Sequence, residues 1–190
     1  MSPAVGVFGV TGVGKSTLLD RHVAMFPSDR HVGGSSVIKA LIAPASVHDF
    51  DAWPEAKQTS IRRQAIAELR GIRDRTEGVL LVAGHFSLRN RFSGALEPVL
   101  TDDDHDFFDA LVLLDGDAKR VLDQTSSDSR PRHGQELGAI REHLDFERSL
   151  AATTAERMGV PMLSIVAPSI EARLRELASF LACLRSGVDG

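Results

Sequence analysis

Gly9, Gly14, Lys15 and Ser16 occupy the fixed positions of the pattern G-x-x-x-x-G-K-[ST], spelled here Gly9-Val10-Thr11-Gly12-Val13-Gly14-Lys15-Ser16. The residue types suit one chemistry, the holding of phosphate. Glycines permit backbone angles that aim N–H groups at phosphate oxygens. Lys15 is placed to reach β- and γ-phosphates, and the Ser16 hydroxyl to ligate Mg²⁺. The pattern carries this meaning only between a strand and a helix. Val5-Gly6-Val7-Phe8 reads as a short buried strand, and Ser16-Thr17-Leu18-Leu19-Asp20 opens a helix that stops near Pro27. The positive end of that helix favours an anion at the same spot. These residues point to nucleotide binding.

A second set of residues narrows the chemistry. Arg130 and Arg132 lie in Ser126-Ser127-Asp128-Ser129-Arg130-Pro131-Arg132-His133-Gly134, a segment with loop chemistry throughout. Arg141 and Arg148, seven residues apart on the following helix, share nearly one face. Phosphoryl transfer asks the protein for positive groups around the transferring group and for exclusion of water. A loop bearing Arg-x-Arg, backed by an arginine on a rigid helix, meets that need. The plainer reading is that these arginines pair with Asp128, Glu136, Glu142 and Glu147.

Strands and helices that position these groups alternate along the chain, the pattern of a parallel sheet covered on both faces. Arg30-His31-Val32 is a weak strand candidate, and a short helix follows from Ser35 or Ser36 to Ala43. Residues 44–55 read as loop, with Trp53 as an anchor. A helix over 59–76 carries Ile61, Ala65, Leu69 and Ile72 on one stripe. Val79-Leu80-Leu81-Val82-Ala83 is the clearest buried strand, with Gly84 and His85 at its carboxyl end, where open α/β sheets bind ligands. Residues 93–106 read as loop containing the acidic run Asp102-Asp103-Asp104, a solvated surface before it is a metal site. Ala110 to Leu114 is another buried strand, followed by helices over 117–125 and 135–158. A last strand covers 162–166 and a last helix 169–184. The expected fold is α/β, a three-layer sandwich with a five-stranded parallel sheet and helices on both faces.

Composition bounds the rest. The 190 residues suit one domain with a proper core, 1–190, with residues 126–134 as a lid loop within it. Lys and Arg total 22 against 26 Asp and Glu, a net charge of −4, which disfavours a non-specific nucleic-acid binder. The single cysteine, Cys183, excludes an internal disulfide and is expected to face the core from the last helix. No apolar run approaches a membrane span, and no signal peptide is evident ahead of the phosphate loop. A cytoplasmic protein without membrane or nucleic-acid partners, monomeric or a small homo-oligomer, is the expectation.

In order and spacing the chain resembles the P-loop nucleoside-monophosphate kinases, and within them the archaeal-type adenylate kinases. The likeness runs through Gly-Val-Gly-Lys-Ser-Thr, Asp128-Ser-Arg130-Pro-Arg132, His143 to Arg148 with Ala151-Ala152, and Gly159-Val160-Pro161. Only the phosphate loop is highly specific. The resemblance implies that Gly9, Thr11, Gly12, Val13, Gly14, Lys15, Ser16 and Thr17 bind the ATP phosphates, with Mg²⁺ at Ser16. It implies Lys15, Arg130, Arg132 and Arg148 as catalytic residues that clamp phosphates during transfer. It further implies that Gly33-Gly34-Ser35-Ser36 borders the acceptor, that the Arg62-Arg63 pair reaches the acceptor phosphate, and that His85 approaches it from the third strand. Gly34, Ser35, Arg63 and His85 are thus the candidate acceptor-binding residues.

Two departures bear on the acceptor. The family usually ends its third strand with an Asp that holds the Mg²⁺ water shell, whereas this strand runs Leu80-Leu81-Val82-Ala83-Gly84-His85. Asp115, ending the next strand, is the candidate to compensate. The acidic residue near the acceptor turn is replaced by Ser35. The expected reaction is transfer of the γ-phosphoryl of ATP to a nucleoside monophosphate. Two alternatives stay open: a kinase of a nucleoside or small-metabolite hydroxyl, and a nucleotide-binding regulatory ATPase.

Overall fold

A computed structural model describes residues 1–90, 92–126 and 136–186. Strand β1 (Ala4–Phe8) and helix α1 (Lys15–Met25) flank the phosphate loop. Next come β2 (Arg30–Gly33), α2 (Gly34–Ile42), α3 (Val47–Asp51), α4 (Glu55–Asp74) and β3 (Leu80–Ala83). A small hairpin, β4 (Ser87–Arg89) with β5 (Leu96–Pro98), precedes α5 (Asp102–His105). The chain then forms β6 (Ala110–Leu114), α6 (Ala118–Ser126), α7 (Leu137–Met158), β7 (Met162–Ile165) and α8 (Ile170–Ser186). Five strands make one parallel sheet in the order β2-β3-β1-β6-β7, with helices on both faces.

The alternation of side chains along the central strands explains the layers. Val5 and Val7 of β1, Leu81 of β3, and Ala110, Val112 and Leu114 of β6 enter one core with Leu18, Leu19, Leu174, Leu177 and Leu181. Their neighbours Ala4, Phe8, Leu80, Val82, Leu111 and Leu113 enter the other, with Ile66 and Leu69 of α4. A period of two on strands buried on both sides gives two dry layers from three short runs. Helix α7 serves both layers: Ile140 and Leu144 join the first core, Ala151 and Ala155 the second.

Three expectations change. Residues 93–106 are not plain loop, since β5 and α5 lie within them, neither marked by a hydrophobic period. The β5 strand pairs with β4, and Thr101 with Asp104 forms a capping box at α5. Residues 44–55 contain α3, started by a reciprocal cap between Ser46 and Asp49. Cys183 is exposed rather than facing the core, because Leu177 and Leu181 supply the buried stripe of α8.

At the amino ends of the strands, a buried polar latch joins distant parts of the chain. Asp29 accepts from the Val79 N–H at 2.9 Å, contacts His22 Nε2 at 2.8 Å, and accepts from Arg185 at 2.5 Å. Burial pushes the Asp29 carboxyl up, but these hydrogen bonds and the Arg185 charge together hold it below its ordinary value.

Candidate functional site

The phosphate loop sits where β1 ends at the carboxyl edge of the sheet. Gly9, Gly12 and Gly14 have φ of 148°, 85° and 99°, angles that L side chains rarely adopt. Gly9 is also pressed against the backbone: a Cβ there would lie 2.3 Å from the Leu114 carbonyl oxygen. Lys15 Nζ donates to the Gly9 and Val10 carbonyls, at 2.5 and 3.0 Å. Burial lowers its pKa from 10.5 to about 7, and the Glu147 carboxylate opposes part of that fall. From behind, the buried Arg173 of α8 donates to the Val13 carbonyl at 2.9 Å and to the Ala167 carbonyl at 2.7 Å. The loop is thereby fixed to the last helix.

The loop opens onto a cavity of about 750 Å³. Thr11, Gly12, Gly14, Lys15, Ser16 and Thr17 line it, whereas Gly9 and Val13 lie outside its lining; the Val13 side chain is in the core. From the sites expected for an acceptor, Gly34, Ser35 and His85 line the same cavity. Arg63 does not. It is exposed and turned to Asp103, 3.1 Å away, while its neighbour Arg62 faces the cavity beside the Phe50 ring. Consecutive helical residues point about 100° apart, so only one of the pair can do so.

His85 is held neutral. Burial depresses its pKa well below the ordinary histidine value, the Lys15 and His143 charges lower it further, and the Gly9 carbonyl resists. Its Nδ1 is buried and has no hydrogen-bond partner among the described residues. The Phe8 ring packs against the same strand end, edge-on to Phe86 and Phe108 at 4.7 and 5.5 Å. It fills the space beside Gly84, where a Cβ would meet the ring at 2.7 Å.

The end of β3 carries no carboxylate, and two acidic residues of other elements lie near it in the fold, each already hydrogen-bonded. Glu147 of α7, buried, reaches the turn after β3. It accepts from the Ser87 N–H at 2.6 Å, the Ser87 hydroxyl at 2.8 Å and the Phe86 N–H at 3.3 Å. Asp115 instead belongs to Arg148, which donates from Nε at 2.7 Å and from Nη2 at 3.0 Å. Asp145 takes a third bond from Arg148 at 2.6 Å. Arg148 thus lines a second cleft of about 480 Å³, together with Arg120, Arg141 and Arg173, and lies outside the lining of the first. Arg130 and Arg132 fall outside the described residues.

Sequence reasoning missed Arg173, whose role depends on a fold that brings α8 behind the phosphate loop. It placed Glu147 only as a partner for nearby arginines. No local pattern marks a helical Glu as the acceptor for a distant turn.

A family model described as an AAA domain matches residues 8–141, and the chain belongs to that family. No curated protein matches the chain by sequence. Among solved structures it is similar to a shikimate kinase from Acinetobacter baumannii in complex with shikimate. That likeness has a TM-score of 0.62 and 19% identity over 98% of this chain and 95% of the other. A shikimate kinase from Bacteroides thetaiotaomicron matches with a TM-score of 0.60 and 16% identity, over 95% and 98% of the two chains. A gluconokinase from Sinorhizobium meliloti 1021 matches with a TM-score of 0.57 and 16% identity, over 98% and 95%. These likenesses show the P-loop three-layer fold. No helix among the described residues is long and apolar enough to cross a membrane.

Proposed function

We propose that residues 1–190 act as one kinase domain that transfers the γ-phosphoryl group of ATP to a small acceptor. The observation that carries this reading is a single cavity of about 750 Å³ shared by two sets of residues. Thr11 to Thr17 line one part, and Gly34, Ser35, Arg62 and His85 line the other. A nucleotide held by the loop presents its γ-phosphate to whatever the other part holds. A regulatory ATPase has no need of that second compartment.

Lys15 exchanges its bonds to the Gly9 and Val10 carbonyls for phosphate oxygens and neutralises charge as it moves toward the leaving ADP. Ser16 opens α1 with an exposed hydroxyl suited to Mg²⁺. Magnesium bound to ATP takes few protein ligands, keeping waters and phosphate oxygens, so this one hydroxyl fits. The ion would supply charge neutralisation between the β- and γ-phosphates. Glu147 sits within electrostatic reach of Lys15 and tempers the cost of a buried ammonium.

A nucleoside monophosphate acceptor is supported by the adenylate-kinase-like order of motifs and by Arg62. The similar solved structures named for shikimate and gluconate kinases lend weight to the small-metabolite reading. The test is ADP formation from ATP·Mg with a panel of nucleoside monophosphates and of alcohols, beside an ATP-only control and Lys15→Ala. Acceptor-dependent turnover that vanishes in the variant is expected. ADP formation indifferent to every acceptor, with ATP bound, would leave the ATPase reading in its place.

A further inference from the structure

Two side chains meet on one carbonyl where the phosphate loop begins. The Gly9 carbonyl accepts from Lys15 Nζ at 2.5 Å and from the His85 ring. Gly9 is buried, and no backbone N–H among the described residues serves that oxygen. The Val10 carbonyl, which also holds Lys15, has the Val13 N–H as a second donor at 3.4 Å.

The tautomer of His85 follows from its surroundings. Nδ1 is buried without a partner among the described residues, so the nitrogen on Gly9 is Nε2. A carbonyl accepts only from an N–H, which puts the proton on Nε2 and the lone pair on Nδ1. Burial, reinforced by the charges of Lys15 and His143, keeps the ring from taking a second proton. His85 is therefore a neutral donor whose N–H is committed to the phosphate loop.

The backbone on either side of the ring is pinned. The Gly84 N–H donates to the Val7 carbonyl of β1 at 3.1 Å. The Phe86 and Ser87 N–H groups donate to Glu147 at 3.3 and 2.6 Å, and the Ser87 carbonyl meets His143 Nε2 at 3.3 Å. His85 thus stands between a contact to the central strand and contacts to α7. A side chain that must hold another group in place needs this kind of support.

The departure of Lys15 gives the arrangement a function. On the nucleotide-binding reading above, Lys15 leaves both carbonyls for phosphate oxygens. The Val10 carbonyl then keeps the Val13 N–H, and the Gly9 carbonyl keeps His85. Removing the last donor from a buried carbonyl costs more than removing one of two. We propose that His85 is a positioning residue for nucleotide binding: its Nε2–H keeps the Gly9 carbonyl paired when Lys15 turns to phosphate, and so holds the Gly9–Val10 peptide in the loaded loop. Without that N–H, the loaded state carries an unpaired carbonyl that the free state, with Lys15 still on it, does not. The loss then falls on nucleotide affinity rather than on the free protein.

The experiment measures binding of a non-hydrolysable ATP analogue with Mg²⁺ to the wild type, His85→Gln, His85→Asn and His85→Leu, beside the melting temperature of each free protein. The Gln amide nitrogen stands as many bonds from the backbone as Nε2, and the Asn nitrogen as many as Nδ1. Gln alone therefore restores a donor to Gly9. The expected affinities are about tenfold weaker for His85→Leu and His85→Asn and within about threefold of wild type for His85→Gln. In the wild type, NMR of the His85 ring should show the Nε2–H tautomer with and without nucleotide. The Nε2 proton should move downfield on loading, as Lys15 ceases to share the carbonyl. Equal affinities in all four proteins, or equal losses in His85→Asn and His85→Gln, would overturn the role of His85. A lower melting temperature with unchanged affinity would do the same, reducing the ring to a structural part. So would an Nδ1–H tautomer, or an Nε2 proton that loading leaves unmoved, and this arm requires no variant to fold. A wild type that binds no nucleotide would remove the nucleotide-binding reading itself.

Discussion

Glu147 and Arg148 are neighbours in the chain, yet they serve different clefts. Glu147 is buried under the turn that borders the large cavity, its oxygens taken by Phe86 and Ser87. Arg148 remains 44% exposed in its side chain and is matched to Asp115 and Asp145 beside the smaller cleft. The arginines gather where carboxylates already meet them, while the larger cavity is apolar with Arg62 and Lys15 as its described cations. The lesson concerns electrostatics: a count of arginines in the sequence overstates the positive charge offered to a ligand.

The strongest attack on this division is Lys15→Ala beside Arg148→Ala. The first should lower ADP formation by about 1,000-fold, the scale of losing a preorganised charge at the transferring group; the second should cost about tenfold or less. Equal losses would mean that Arg148 leaves Asp115 to act in the larger cavity.

Stability separates the two neighbours in the opposite sense to exposure. Glu147→Ala strands three donors at a buried site and should cost about 3 kcal/mol in chemical denaturation. Arg148→Ala removes a half-exposed guanidinium but leaves the buried Asp115 carboxylate with the Gly116 N–H, and should cost about 2 kcal/mol. A larger loss for Arg148 than for Glu147 would reverse the assignment of which cleft is built into the core.

Protons sharpen the picture of the large cavity. The folded protein holds Lys15 near pKa 7 against an ordinary 10.5, so at pH 8 its amine is mostly neutral before phosphate binds. ATP binding should then take up close to one proton near pH 8 and much less near pH 6. Calorimetry in buffers of different ionisation enthalpy reads this directly, and Lys15→Met should abolish most of the uptake. The same displacement sets the sign for stability. The folded state binds fewer protons than the unfolded one between about 7 and 10.5, so the penalty from Lys15 is full at lower pH and fades as pH rises through that window. Finally, Arg62→Met should change acceptor KM several-fold, and Arg63→Met should leave it within about twofold. A larger effect from Arg63 would show that its pairing with Asp103 breaks when acceptor binds.

The sheet was legible because its signals are local. Val5 to Phe8, Leu80 to Ala83 and Ala110 to Leu114 are short apolar runs, and the pattern from Gly9 to Ser16 marks the first of them as the strand that leads into a phosphate loop. The hairpin around Leu88 and Glu97 was not, because its pairing depends on partners rather than on periodicity. The same distinction runs through the site. Lys15, Ser16 and His85 follow from strand and loop position. The choice between Arg62 and Arg63 turns on helical phase, which a shift of one residue in the start of α4 is enough to hide. The match of Asp115 with Arg148, across 33 residues, exists only once the chain has folded.

The latch at Asp29 has a consequence for the order in which the molecule is made. Its partner Arg185 lies 156 residues further along, on the last described helix. During synthesis the early strands can pair and the phosphate loop can form while the Asp29 carboxylate has only His22 and the Val79 amide for company. Closure of the amino edge of the sheet therefore waits for α8, the same helix whose Arg173 holds the phosphate loop from behind. A long-range contact of this kind slows final assembly. It also makes arrival of the last helix the event that consolidates both edges of the sheet.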